Sequence, residues 1–261
     1  MGAIAIWNRL RYYRRSFGTR QTAKLYGARA IRRPTIQFRV PEMPHTISCR
    51  PTEPDLFTIC HVFVERDCDV PIPLAPRLIV DAGANVGYVS VYYANQFPEA
   101  EIVALEPDLG NLAVAERNCA PYSRIELLRA GLWPRDTALR IVDPNVKSWM
   151  FQVREASEEE TETVEGISIA TLLRRTGHER IDILKLDIEG SEEPLFASPD
   201  CQDWLPSVDV IVVETHGEAS ERAVSDAMRE ASFTLIARHP RRGDTYVNPR
   251  LRALIRPSAS P

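Results

Sequence analysis

The 261-residue chain is 44% hydrophobic and 26% charged, with a net charge of −4. That is enough apolar content for one α/β domain with appendages, and the acidic balance excludes a globally basic nucleic-acid binder. No apolar run is long enough to cross a bilayer, and the cysteines (Cys49, Cys60, Cys68, Cys119, Cys201) are odd in number and lack CxxC spacing, which favours reduced thiols over a disulfide or zinc framework.

Three segments are expected: a basic N-terminal extension over residues 1–45, a main domain over 46–250 and a disordered tail over 251–261. Met1 to Arg33 contains no Asp or Glu but carries Arg9, Arg11, Arg14, Arg15, Arg20, Lys24, Arg29, Arg32 and Arg33. Ile6, Trp7, Leu10, Tyr13 and Phe17 recur at helical spacing, so an apolar stripe flanked by arginines suits peripheral contact of residues 1–33 with an anionic membrane. Packing against the domain and an organellar transit peptide are the competing readings. Residues 34–76 are proline-rich; Ile36–Val40 and Ile47–Arg50 read as a short hairpin, and Leu56–Phe63 as a helix capped by Asp55.

Leu78-Ile-Val is a short buried strand ending at Asp81. Gly83 and Gly87 then bracket a turn into a helix through Val89, Val91 and Tyr92, an arrangement expected to present free backbone N–H groups around a pocket. The Gly-x-x-x-Gly spacing departs from the dinucleotide Gly-x-Gly-x-x-Gly, which disfavours a nicotinamide oxidoreductase. Asp81 at the turn would repel a phosphate but suit the cationic amino acid end of S-adenosylmethionine. A second strand, Ile102–Leu105, ends at Glu106, at the distance where a ribose-binding carboxylate is expected, and Pro107 and Asp108 open the next helix.

Arg124–Leu128 reads as a third strand, Gly131–Val142 as a hairpin, Pro144–Phe151 as a loop and Glu155–Glu165 as a solvated acidic connection. Ser168 is placed to cap a helix ending near Gly177. Ile181–Asp187 is a strand carrying Lys185 and Asp187 near its C-terminal end, charges that are costly to bury unless paired or used. Val208–Val213 is another apolar strand, followed by Glu214 and His216, and a helix and two further strands complete the alternation.

Asp81-Ala-Gly-Ala-Asn-Val-Gly87 with Glu106-Pro107, and Lys185-Leu-Asp-Ile-Glu-Gly-Ser-Glu192 downstream, resemble the FkbM family of S-adenosylmethionine-dependent methyltransferases over about residues 56–240. The resemblance implies a class I methyltransferase fold: a Rossmann-like three-layer α/β sandwich with a seven-stranded, mostly parallel sheet whose last strand is antiparallel. It implies methyl transfer to oxygen, in many relatives on a sugar within polysaccharide or glycolipid pathways. Carried onto these positions, Asp81, Gly83, Ala84, Asn85 and Gly87 would hold the methionine portion, Glu106 with Pro107 the ribose, and Asp187 and Glu189 would lie beside the transferring methyl.

The expected function is an O-methyltransferase acting on a hydroxylated sugar or glycolipid, located in the cytoplasm or peripherally at the inner membrane face. Asp187, His216, Glu189 and Lys185 are its catalytic candidates, with His216 or Asp187 as the base. No metal ligand is assigned, although Mg2+ between Asp187 and Glu214 is compatible with the residues. The alternative is a catalytically silent cofactor-binding scaffold at a membrane surface.

Overall fold

The structure, a computed structural model, describes residues 3–41, 43–51, 53–142, 152–239 and 243–254. Helix α1 (Ala3–Ala30) is broken at Gly18 (φ 80°, ψ 165°), so it is two helices joined at a kink. Tyr13, Phe17, Leu25 and Ala28 are buried in the same apolar cluster as the central sheet, and Phe17 meets Phe38 edge-on at 5.0 Å. The N-terminal segment is therefore packed into the domain. The chain continues through β1 (Ile36–Phe38) and β2 (Ile47–Cys49), an antiparallel hairpin, to α2 (Glu53–Ile59), which runs on into a π-helical turn over Cys60–Val64. Asp55 does not cap this helix: it lies inside it, fully buried, and its carboxylate takes the Arg50 side chain and backbone N–H.

The alternating units follow: β3 (Leu78–Ala82), α3 (Tyr88–Gln96), β4 (Glu101–Leu105), α4 (Leu109–Cys119) and β5 (Ile125–Leu128). Next come β6 (Ala130–Leu132), β7 (Thr137–Ile141), β8 (Val153–Glu155), β9 (Val164–Ile167), α5 (Ile169–Thr176) and β10 (Ile181–Leu186). The chain closes with α6 (Glu192–Ala197), α7 (Cys201–Trp204), β11 (Val208–Val213), α8 (Glu218–Glu230), β12 (Thr234–His239) and β13 (Gly243–Val247). Asp108 and Ser168 cap α4 and α5 by accepting from the N–H groups of Asn111 and Thr171.

The main sheet has seven strands in the order β12-β13-β11-β10-β3-β4-β5, and β13 alone runs antiparallel within it. Every residue of β3 and β11 is buried, as strands covered by helices on both faces require. Two apolar clusters cover the two faces, with Ile79 and Ile183 in one and Leu78, Val80 and Leu184 in the other. The class I methyltransferase architecture expected from the sequence is thus present.

Three expectations are corrected. Gly131–Val142 is not a hairpin: β9 inserts between β6 and β7, giving a second sheet in the order β6-β9-β7-β8. The acidic connection accordingly ends in a strand rather than in solvent. The tail is ordered to Leu254 as a 3-10 segment, because Arg250 pairs with the buried Asp209 of β11. The loop expected over Pro144–Phe151 lies outside the described residues, as does the tail beyond 254. The cysteines are all buried and free.

Candidate functional site

The C-terminal ends of β3, β4, β10 and β11 meet at one edge of the sheet, where a cavity of about 650 Å3 opens, within the roughly 300–1,000 Å3 range of small-molecule sites. Its floor is the turn after β3. Gly83 has φ +78°, and a Cβ there would lie 1.8 Å from the backbone oxygen of Asp187, so only glycine lets the turn pass against the end of β10. Asn85, also in the lining, has φ 50°.

Four N–H groups of the turn are already engaged within the fold. Gly83 and Ala84 both donate to the Leu105 carbonyl (3.1 and 2.9 Å), Gly87 donates to Ala84, and Asn85 N–H donates to the Glu106 carboxylate at 2.7 Å. The site also presents oxygen atoms. Glu106 is buried at the end of β4, and its other oxygen accepts from Asp108 N–H at 2.9 Å. Burial pushes its pKa up to about 7 against the pull of those N–H donors and the Asn111 side chain. Among the described residues, the Asn85 side-chain oxygen has no hydrogen-bond partner. A carboxylate with lone pairs to spare and an unsatisfied amide oxygen suit a ligand rich in hydroxyl and ammonium donors, not a phosphate.

Asp81 and Gly87, expected to touch the cofactor, do not line the cavity. Asp81 is fully buried; one oxygen accepts from Ser90 Oγ at 2.6 Å and the other lies 3.3 Å from Lys185 Nζ. Gly87 (φ 79°) starts α3 against Ala115 and Cys119. Lys185 reaches the cavity edge but is spent on structure: Nζ donates to the Gly83 carbonyl at 2.9 Å and also faces Asp187 at 3.7 Å. Burial alone would lower its pKa, but Asp81 and Asp187 raise it, so Lys185 stays charged.

Beyond β10 and β11 lies a cluster of Asp187, Glu189, Glu214 and His216, all in the lining. His216 Nε2 is 3.7 Å from Asp187 and 3.6 Å from Glu189, while Nδ1 is 3.0 Å from the fully buried Glu192. Glu192 also accepts from the N–H groups of Ile188 and Gly190, so a single carboxylate fixes both the imidazole and the turn that carries Glu189. That turn holds Glu189 at φ 52°, a left-handed conformation a non-glycine residue rarely adopts.

Burial would lower the His216 pKa, but the bond to Glu192 and the charges of Glu192, Glu189 and Asp187 raise it to about 9. That shift favours the protonated imidazole at neutral pH, which weighs against the expected role of His216 as base. Burial pushes Glu189 and Glu214 up to about 7, with Asp187 adding to the effect and His216 opposing it. Ligand atoms of Asp187, Glu189 and His216 lie within 4.8 Å of one another, a set that could hold a metal ion.

Sequence reasoning missed the outer wall. Tyr13 of α1, Pro54, Phe57 and Thr58 of α2, Leu132 of β6 and Val153 of β8 also line the cavity. The helical spacing of Pro54, Phe57 and Thr58 puts the three on a shared face, a signal that reading the helix as Leu56–Phe63 left out.

A model of the family described as Methyltransferase FkbM domain matches residues 81–239. The chain is 29% identical over 207 residues to Methyltransferase sdnD of Sordaria araneosa, covering 67% of this chain and 80% of that protein. It is 25% identical over 200 residues to Methyltransferase 1 of Beauveria bassiana, covering 67% and 79%. Among solved structures, the O-methyltransferase TomG from Streptomyces achromogenes in complex with SAM aligns with a TM-score of 0.40 at 14% identity, over 95% of this chain and 100% of that one.

Proposed function

The chain belongs to the FkbM methyltransferase family and is an S-adenosylmethionine-dependent methyltransferase, and from that premise we propose that its acceptor is a hydroxyl of a sugar, in a glycan, glycolipid or similar natural product. The observation that carries this reading is one cavity bounded both by the Gly83–Glu106 turn and by the Asp187, Glu189, Glu214 and His216 cluster. The first suits the cofactor: Glu106 has acceptor capacity for a ribose diol, and Asn85 Oδ1 awaits a donor. The second suits a hydroxyl, which must be oriented and must lose a proton.

When bound, S-adenosylmethionine supplies a methyl group already activated by its sulfonium. The protein then has three tasks. Lys185 and Asp81 hold the turn in shape, Glu106 holds the ribose, and the acid cluster receives the acceptor. Among the cluster, Glu189 is the base in this reading: a carboxyl with a pKa of about 7 is half ionised near neutrality and still basic enough to take a proton as the carbon–oxygen bond forms. His216, held as imidazolium by Glu192, orients the acceptor oxygen as a donor and keeps the neighbouring carboxylates from repelling one another apart.

We propose further that α1 rests on an anionic membrane surface. It buries Tyr13 and Phe17 while Arg11, Arg14, Arg15 and Arg20 are exposed, and it carries no acid. No helix among the described residues is long and apolar enough to cross a membrane.

Calorimetry with S-adenosylhomocysteine, followed by mass spectrometry of sugar acceptors incubated with S-adenosylmethionine, tests the reading. Cofactor binding with methylation of amines or thiols and none of hydroxyls would overturn the choice of oxygen. Binding without turnover on any acceptor would favour a silent scaffold.

A further inference from the structure

Phe57 is 60% exposed, an unusual state for a phenylalanine that belongs to a cavity wall. The ring is nevertheless fixed. His61, one turn further along, lies against it with centroids 3.8 Å apart, and His61 is in turn held by Asp67 through Nδ1 at 2.6 Å. This places the contact at the start of the π-helical turn, a local irregularity that often marks functional sites. One ring face is thus covered and held, while the rest of the side chain stays open, in the same cavity as the acid cluster. Tyr13, Pro54 and Thr58 extend the wall. Phe57, Tyr13, Pro54 and Thr58 all precede the family-matched region, which begins at residue 81.

We propose that Phe57 is the platform on which the acceptor's pyranose ring lies, and that it selects the acceptor. The proposal rests on the sugar-hydroxyl reading above and goes further by naming the residue that recognises the ring. A pyranose has a C–H face that packs on an aromatic ring and an edge of hydroxyls, and this cavity pairs one open aromatic ring with Asp187, Glu189, Glu214 and His216. A planar phenol would use the ring but would satisfy only one of those four polar groups. A linear polyol would use the polar groups but leave the ring uncovered. An amphipathic ring fits both.

The test uses the full-length protein with S-adenosylhomocysteine present, titrated with methyl glycosides of glucose, galactose, mannose and rhamnose, and with sorbitol and a flavonoid as comparison compounds. Methyl transfer is then followed on whichever glycosides bind. At least one glycoside should bind while sorbitol and the flavonoid do not. Phe57→Ala should raise KM for that glycoside about three- to tenfold, the scale of a lost ring contact, with S-adenosylhomocysteine affinity unchanged. Phe57→Trp should preserve the wild-type KM. Because the side chain is exposed, neither variant threatens folding. An unchanged KM in Phe57→Ala, or binding of the flavonoid or sorbitol in preference to every glycoside, would overturn the proposal. Failure of S-adenosylhomocysteine to bind the wild type would instead strike the cofactor assignment, which keeps the two failures distinguishable.

Discussion

Lys185 Nζ lies 3.3 Å from Asp81 Oδ1, tying the end of β10 to the end of β3 at register-paired positions. Both groups are buried, Asp81 completely and Lys185 to 7% exposure, and the lysine also holds the Gly83 carbonyl. Removing one partner of such a pair strands a buried charge, at a cost of about 3–5 kcal/mol. Lys185→Met should lower stability in urea unfolding by that order and weaken S-adenosylhomocysteine binding, because the turn loses its anchor. Asp81→Asn should cost less, since Lys185 keeps Asp187 at 3.7 Å. Equal stability of Lys185→Met and wild type would show that the pair contributes nothing.

Gly83→Ala should be more damaging to binding than any side-chain truncation in the cavity. The added methyl would meet the Asp187 backbone oxygen at 1.8 Å, and φ +78° is strained for alanine. The turn must then move away from β10, carrying Asn85 away from Glu106. The measurement is calorimetric: near-complete loss of S-adenosylhomocysteine affinity in a variant whose circular dichroism still shows the α/β fold. Retained affinity would mean that the close approach is not needed.

The cofactor edge was legible because parallel strands buried on both faces read as short apolar runs that stop at a charged residue, as Leu78–Asp81 and Ile102–Glu106 do. The outer wall was not legible. Tyr13 and Phe57 reach the cavity from elements separated from the turn by tens of residues, and nothing in their spacing points to Gly83. β9 escaped notice for a similar reason, since its insertion between β6 and β7 is a non-local pairing that mimics a hairpin in one dimension. His216 was found, but its ordinary pKa suggested a base, and only the contacts with Glu192, Glu189 and Asp187 push that pKa up.

That protonation state has a signature in the pH profile. A base must be ionised, so kcat/KM should rise through about pH 7 as Glu189 and Glu214 lose their protons. A required imidazolium must keep its proton, so the rate should fall through about pH 9. Glu189→Gln should lower kcat roughly 10²–10⁴-fold. It should also move the descending limb to lower pH, because the charge of Glu189 helps keep His216 protonated. Rates recorded from pH 5 to 10 decide this; an unchanged ascending limb in Glu189→Gln, with loss of it in Glu214→Gln, would transfer the role of base to Glu214.

Glu106 offers a second proton-linked measurement. Its pKa of about 7 reflects burial without a ligand. Ribose hydroxyls donate to the ionised carboxylate, so binding favours that form and lowers the pKa. Complex formation at pH 6.5 should therefore release protons, and S-adenosylhomocysteine affinity should increase with pH through about 7. Calorimetry in buffers of different ionisation enthalpy reads the proton count directly. Glu106→Gln should abolish the release and weaken binding. Proton release that persists in the variant would assign the linkage to another group.

The basic face of α1 calls for charge substitution rather than deletion. Tyr13, Phe17, Leu25 and Ala28 are part of the main core, so a truncation to residue 34 would uncover Phe38 and confound membrane loss with unfolding. Replacing Arg11, Arg14, Arg15 and Arg20 with Gln leaves those contacts untouched, because all four side chains are exposed. Each basic residue near an anionic surface contributes about 1 kcal/mol, so the fourfold variant should lose most of its co-sedimentation with phosphatidylserine vesicles while neither protein pellets with pure phosphatidylcholine. High salt should weaken the wild-type interaction in the same way, since screening acts on exposed charges first. Equal pelleting of variant and wild type would remove the membrane from the account. Loss of pelleting with unchanged activity on a soluble glycoside would identify α1 as a recruitment device that, through Tyr13 in the cavity wall, sets the acceptor site against the surface where lipid-linked sugars are held.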